Sequence, residues 1–148
     1  MNGYIVFKYD KNSEHYIDDW TSISDIGKVF FGRLLTQEEY VKVENNYISF
    51  INEFLSAAQV FEMRIKSLES SKPLKWKNND ILCIDEILEF CRGVLREEYW
   101  GKLCGKLSYI HFGYDYYMYA GAELSCETVN TIAKKYCLFC EKTLSPYR

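Results

Sequence analysis

The sequence predicts an α+β domain. Two stretches of helical spacing are separated by strand-like segments, and the C-terminal half strings short strand-like segments across tight turns. Consecutive strands joined by tight turns pair with one another. The expectation is therefore an antiparallel or mixed β-sheet of about five to six strands, with helices packed mainly on one face. All 148 residues are expected to form this one domain. The chain is long enough for a proper core, and no linker, repeat or low-complexity tract divides it.

The elements follow in order. Gly3 to Tyr9 is rich in β-branched and aromatic residues and reads as a strand. Asp10 to Glu14 is polar and reads as a turn. Ser22 with Asp25 three residues on has the form of a capping box, so a short helix is expected there, ending near Gly32. Thr36-Gln37-Glu38-Glu39 is the clearest local signal. Thr36 can accept from a first-turn amide, Glu39 can reach back to the Thr36 amide, and Leu35 and Tyr40 suit a hydrophobic staple. Tyr40, Val43, Tyr47, Ile51, Phe54, Leu55 and Ala58 then keep helical spacing, which predicts a helix from about Gln37 to Ala58.

Val60 to Leu68 alternates and reads as a strand with one wet face. Glu69 to Asn79 is polar around Pro73 and reads as a loop. Asp80 can cap a second helix, whose apolar positions are Ile81, Ile84, Leu88, Cys91 and Leu95. Tyr99 to Leu103, Leu107 to Phe112 and Tyr116 to Ala120 read as strands, with Gly113-Tyr114-Asp115 as the turn between the last two. Ser125 caps a helix reaching Tyr136, and Cys137 to Leu144 reads as the closing strand.

Composition bounds the function. Net charge is −3, so nucleic acid is not the expected partner, because phosphate binding needs a basic surface. No apolar run approaches the roughly 20 residues of a membrane helix, and no membrane partner is expected. The N-terminus is unlike a signal peptide, which points to a cytoplasmic protein. The charge is unevenly spread. Asp10, Glu14, Asp18 and Asp19 stand against Lys11 alone, and Asp80 to Glu98 holds six acids against Arg92 and Arg96. Glu62 to Lys77 runs the other way, with five bases against two acids. Acidic patches of this kind either solvate a face or steer a basic protein partner.

Chemical motifs are sparse. The six cysteines fit buried free thiols better than a disulfide scaffold. Cys137 and Cys140 have the spacing of a zinc or redox pair, but the two further close ligands that zinc needs are missing. No metal or cofactor is expected. His111 and Asp115 could form an acid–base pair near Tyr114 and Tyr117. No nucleophile or phosphate loop accompanies them, so a histidine bonded among tyrosines is the favoured reading. His15 lies among acids without the regular spacing of a hard-metal loop.

The run from Tyr109 to Gly121 holds five tyrosines, His111 and Asp115. Ile110, Phe112 and Met118 are its core candidates. Its other rings suit a partner surface, because tyrosine offers large contact area at little rotamer cost. Three segments carry a family resemblance: Thr21-Ser-Ile-Ser-Asp-Ile-Gly27, then Leu35-Thr-Gln-Glu-Glu-Tyr40 with Val43-Glu-Asn45, and the run from Phe112 to Tyr119. Together they resemble small cytosolic bacterial immunity proteins, including the CdiI-type proteins of contact-dependent growth inhibition. That resemblance implies a non-enzymatic inhibitor that binds a cognate toxin domain, often a nuclease with a basic cleft. Asp10, Glu14, Asp18 and Asp19 are the candidates for steering, and Tyr114, Asp115 and Tyr117 for anchoring. The alternatives are a small enzyme using His111 and Asp115, and a structural subunit that self-associates through its tyrosines. The oligomeric state is left open.

Overall fold

The computed structural model describes residues 1–13 and 18–147. It is an α+β fold built on a seven-stranded, wholly antiparallel sheet. In chain order the elements are β1 (Asn2–Phe7), β2 (Val29–Phe30), β3 (Arg33–Leu34), α1 (Gln37–Ala57), β4 (Glu62–Glu69), β5 (Ile81–Cys83), α2 (Ile84–Leu95), β6 (Trp100–Cys104), β7 (Tyr109–Phe112), β8 (Met118–Ala122), α3 (Cys126–Lys135) and β9 (Phe139–Lys142). The sheet order is β5-β4-β6-β7-β8-β1-β9, and β2 and β3 form a separate two-stranded sheet. The sheet is larger than the five to six strands expected, because Ile81–Cys83 joins it at the edge beside β4.

That edge strand corrects the assignment of Asp80. Its carboxylate accepts from the Lys77 amide at 2.9 Å and shapes the loop before β5. The helix begins at Ile84, where Glu86 returns a carboxylate oxygen to the Cys83 amide at 3.0 Å. The expected helix after Ser22 is likewise shorter. The capping box at Ser22 and Asp25 forms, but it supports only a 3-10 turn over Ile23–Asp25. The Gly27 amide then bonds Leu35 O, and the Leu35 amide bonds Lys28 O, which folds 28–35 into the β2–β3 hairpin. Phe31 and Gly32 make its tip at φ 55° and 76°, the left-handed region where glycine is at ease.

The helix α1 starts where its cap predicts. Thr36 Oγ1 accepts from the Glu39 amide at 3.2 Å. Glu39 does not complete a capping box, because its carboxylate pairs with Arg33 Nη2 at 3.1 Å. Tyr40, Tyr47, Phe50, Ile51, Phe54 and Leu55 form its buried stripe. Buried residues of all three helices share one core with alternate sheet residues, among them Val6, Ile65, Leu103, Ile110, Phe112 and Met118. The helices thus cover one face.

The opposite face is partly covered by the chain's own end. The Thr143 amide bonds Gly3 O, Ser145 meets His111, and Lys102 Nζ donates to Tyr147 O at 2.7 Å. Tyr109 lies flat across Gly121 on this face. A Cβ at that glycine would stand 2.2 Å from the ring, so the residue is small because the ring needs the space.

Candidate functional site

The turn between β7 and β8 is longer and tighter than the sequence indicates. Tyr116 was expected to start the strand. Instead Asp115 and Tyr116 take φ of 58° and 66°, and β8 begins at Met118. The Gly113 amide bonds Tyr117 O at 2.8 Å, and the Tyr117 amide bonds Tyr114 O at 3.1 Å. Two successive non-glycine residues in the left-handed region cost energy, and they persist only where the surroundings hold them.

Tyrosines supply that hold. The Tyr9 hydroxyl donates to Asp115 O. The Tyr47 hydroxyl donates to Tyr116 O at 2.5 Å, and the Tyr40 and Tyr116 hydroxyls share a hydrogen bond of 2.5 Å. Tyr116 itself points inward, edge-on to Trp20, Tyr40 and Tyr47. Burial holds the phenols of Tyr9, Tyr40, Tyr47 and Tyr116 far above their ordinary range. All four therefore keep their protons at physiological pH and remain available as donors.

The hold extends to α2. Glu44 is fully buried on α1 and pairs with Arg92 of α2 and with Arg96 at its C-cap, with Arg96 Nε at 2.7 Å from Oε2. Burial pushes the Glu44 carboxyl up, but hydrogen bonds from Arg96, Tyr40 and Arg92 outweigh it and leave the group below its usual value. Glu44 thus ties the end of α2 to α1, and one helical turn away Tyr40 ties α1 to Tyr116 of the turn.

The turn forms one wall of an open groove of about 700 Å³. The second wall is the connection from α2 into β6. The end of β4 closes the third side, re-aimed by a bulge at Ser67, where the register with β6 slips by one residue. Val94, Leu95 and Phe112 make an apolar floor. Tyr99, Trp100 and Tyr114 supply rings, and Glu69, Glu97, Glu98 and Asp115 supply carboxylates. Tyr114 stands at the lip and is 84% exposed. Glu97 also has positive φ, at 62°, so both long walls are turns held in unusual backbone conformations.

No family model, curated protein or solved structure matches this chain.

The residues singled out in the sequence divide clearly. Tyr114 and Asp115 are exposed at the groove. Tyr117 also lines it, but its ring packs against Phe7 and Tyr9, at 5.8 and 5.3 Å between centroids. It supports the turn more than it projects from it. Asp10 and Asp18 are exposed, and Glu14 lies outside the described residues, as does His15. Asp19 is committed inward: its carboxylate accepts from the Trp20 amide at 2.8 Å and pairs with Lys8 Nζ at 3.0 Å. The fold does bring the two candidate regions together. Tyr9 bonds both Trp20 O and Asp115 O, so the chain around Asp19 adjoins the turn. Glu69, Glu97, Glu98, Tyr99 and Trp100 had no local signal as a group. They converge only because β4, β6 and β7 are neighbours in the sheet.

His111 is not paired with Asp115. It is 3% exposed and faces away from the helices. Its Nδ1 lies 2.7 Å from Ser145 Oγ, its Nε2 lies 3.8 Å from Cys104 Sγ, and its ring stacks on Tyr109. Burial raises the Cys104 thiol, against the pull of Lys102 and Lys66, which favours the protonated, weakly nucleophilic form. Cys137 is exposed at φ 58°, while Cys140 donates to Asn130 Oδ1 at 3.0 Å. Burial carries the Cys140 thiol up to about 11. Among the described residues no three His, Cys, Asp or Glu side chains are grouped to hold a metal ion, and no helix is long and apolar enough to cross a membrane.

Proposed function

We propose that this protein is a cytoplasmic immunity protein, one that binds a cognate bacterial toxin domain and neutralises it by occupancy. The β7–β8 turn is its anchor, and the acidic groove and the segment around Asp10 and Asp18 steer a basic partner, as a nuclease domain would be. One observation supports this above the others: a turn with two left-handed non-glycine residues is held from beneath by Tyr9, Tyr40 and Tyr47, and it presents an exposed tyrosine beside carboxylates that enter no ion pair among the described residues. Backbone strain retained at an exposed loop is a mark of function, and a turn held in advance loses little entropy when it docks. Nothing in the reading calls for a metal or cofactor.

The test is co-expression with the product of the neighbouring gene, assayed as a toxin. The pair is expected to co-purify, and the chain is expected to restore growth and suppress the toxin's activity in vitro. Tyr114→Ala is expected to weaken binding by roughly 2 kcal/mol, the scale of an interface anchor. A toxin that stays fully active with the chain in excess overturns the proposal.

A further inference from the structure

The groove beside the turn has a more specific chemistry than acidity. Among the described residues its lining carries Glu69, Glu97, Glu98 and Asp115 and no lysine or arginine. Among the described residues none of these four carboxylates is in an ion pair. Several acids elsewhere are spent within the fold: Glu44 on two arginines, Asp19 on Lys8, Glu53 on Lys135. Opposing walls of like charge repel, and a cation between them removes that repulsion. The floor below is apolar, and aromatic rings stand beside it.

We propose that this groove is a binding site for an arginine side chain of a protein partner. The inference rests on the reading of the turn as a partner surface and adds the group that enters. Each part of an arginine has a counterpart here. The aliphatic stem fits the floor of Val94, Leu95 and Phe112, as long cationic side chains bury their methylenes along apolar surface. The planar guanidinium suits the rings of Trp100 and Tyr114, because weak hydration lets it stack. Its fork of N–H donors can reach carboxylates on both walls at once, which the compact ammonium of lysine does less well. Phosphate and carboxylate ligands are repelled by the same rim.

The walls are also set in advance. Glu97 sits in a left-handed turn whose amide bonds Val94 O at 3.0 Å, and the following amide bonds Gly93 O at 3.0 Å. Asp115 sits in the turn held by the tyrosines. The helix α1 joins the two walls, with Glu44 holding Arg96 and Tyr40 holding Tyr116. The carboxylates therefore need little rearrangement to close on a guanidinium.

The experiment uses the chain alone, labelled with nitrogen-15 and titrated with a short arginine-rich peptide. Two control peptides replace arginine by citrulline, its neutral isostere, or by lysine. The arginine peptide is expected to shift the Trp100 indole and the amides of Gly113 to Tyr117. It is expected to bind roughly tenfold more tightly than the citrulline peptide, with lysine between them. The triple variant Glu97→Gln, Glu98→Gln, Asp115→Asn should lose about tenfold or more for arginine with an unchanged circular dichroism spectrum. Equal response to citrulline, or shifts centred away from the groove, overturns the inference without any variant being made. The two proposals fail separately. A toxin neutralised equally well by the triple variant removes the arginine site and leaves the immunity reading. An arginine site confirmed here, with no toxin inhibited, does the reverse.

Discussion

Lys8 shows how one residue can work against the fold it belongs to. Its side chain is 5% exposed, and its ammonium lies 3.9 Å from the Trp20 ring centroid and 4.1 Å from that of Tyr9. Burial lowers its pKa to about 8, against the opposing pull of Asp19. The unfolded chain keeps a lysine near the ordinary value of 10.5, so between the two values the unfolded state binds the extra proton. Stability from this group therefore rises as pH climbs from about 8 toward 10.5, and below 8 its charge is a standing cost. The double variant Lys8→Met, Asp19→Asn is expected to be about 1–3 kcal/mol more stable than the wild type at pH 7, since a whole buried pair is often replaced favourably by uncharged side chains, whereas removing one partner strands the other charge. The advantage should shrink above pH 8 as the wild type sheds its proton. Thermal melts of both proteins at several pH values check this, and a difference flat from pH 7 to 10 would show that Lys8 is not the group responsible. Nothing in the alternation of Gly3 to Tyr9 announced this lysine, because its cage is completed by Trp20, beyond the strand.

The β7–β8 hairpin poses the same problem at the level of an element. Its turn was legible at Gly113-Tyr114-Asp115, and Ile110, Phe112 and Met118 face the core as their spacing indicates. The left-handed Tyr116 was not legible. Its conformation depends on hydroxyls from Tyr40 and Tyr47 on α1, some seventy residues earlier. Tyr47→Phe is expected to keep the ring packing but leave Tyr116 O without its donor. The cost should be about 1–2 kcal/mol in chemical denaturation, the scale of a buried carbonyl left unsatisfied. Faster hydrogen exchange at Gly113 and Tyr117 should accompany it, since these amides close the turn. Unchanged exchange at both would mean that the hydroxyl does not hold the turn. The β2–β3 hairpin and β5 were missed for a related reason. Two- and three-residue strands carry no measurable period, and they form because a neighbour offers backbone partners.

Across the whole molecule, charge and shape take separate parts in the proposed association. Asp10 and Asp18 are exposed and do not line the groove, so reversing them should act through the field rather than through contacts in it. Asp10→Lys with Asp18→Lys is expected to slow toxin association by roughly tenfold at low salt, with the effect fading as salt screens it. Tyr114→Ala should instead speed dissociation. Stopped-flow measurements at two salt concentrations separate the two, and an unchanged association rate at low salt would remove the steering role of this segment. The sequence by itself determined the fold class, the span of α1, the core positions of the β7–β8 hairpin and the excess of acid, because these follow from local period, capping and composition. It also marked Tyr114 and Asp115 as the tip of a turn. Only the tertiary structure decided that Glu69, Glu97, Glu98 and Trp100 join them around one groove, and that Asp19 turns inward to Lys8. Strand order and the reach of buried tyrosine hydroxyls determine those meetings, and both are relations between segments far apart in the chain.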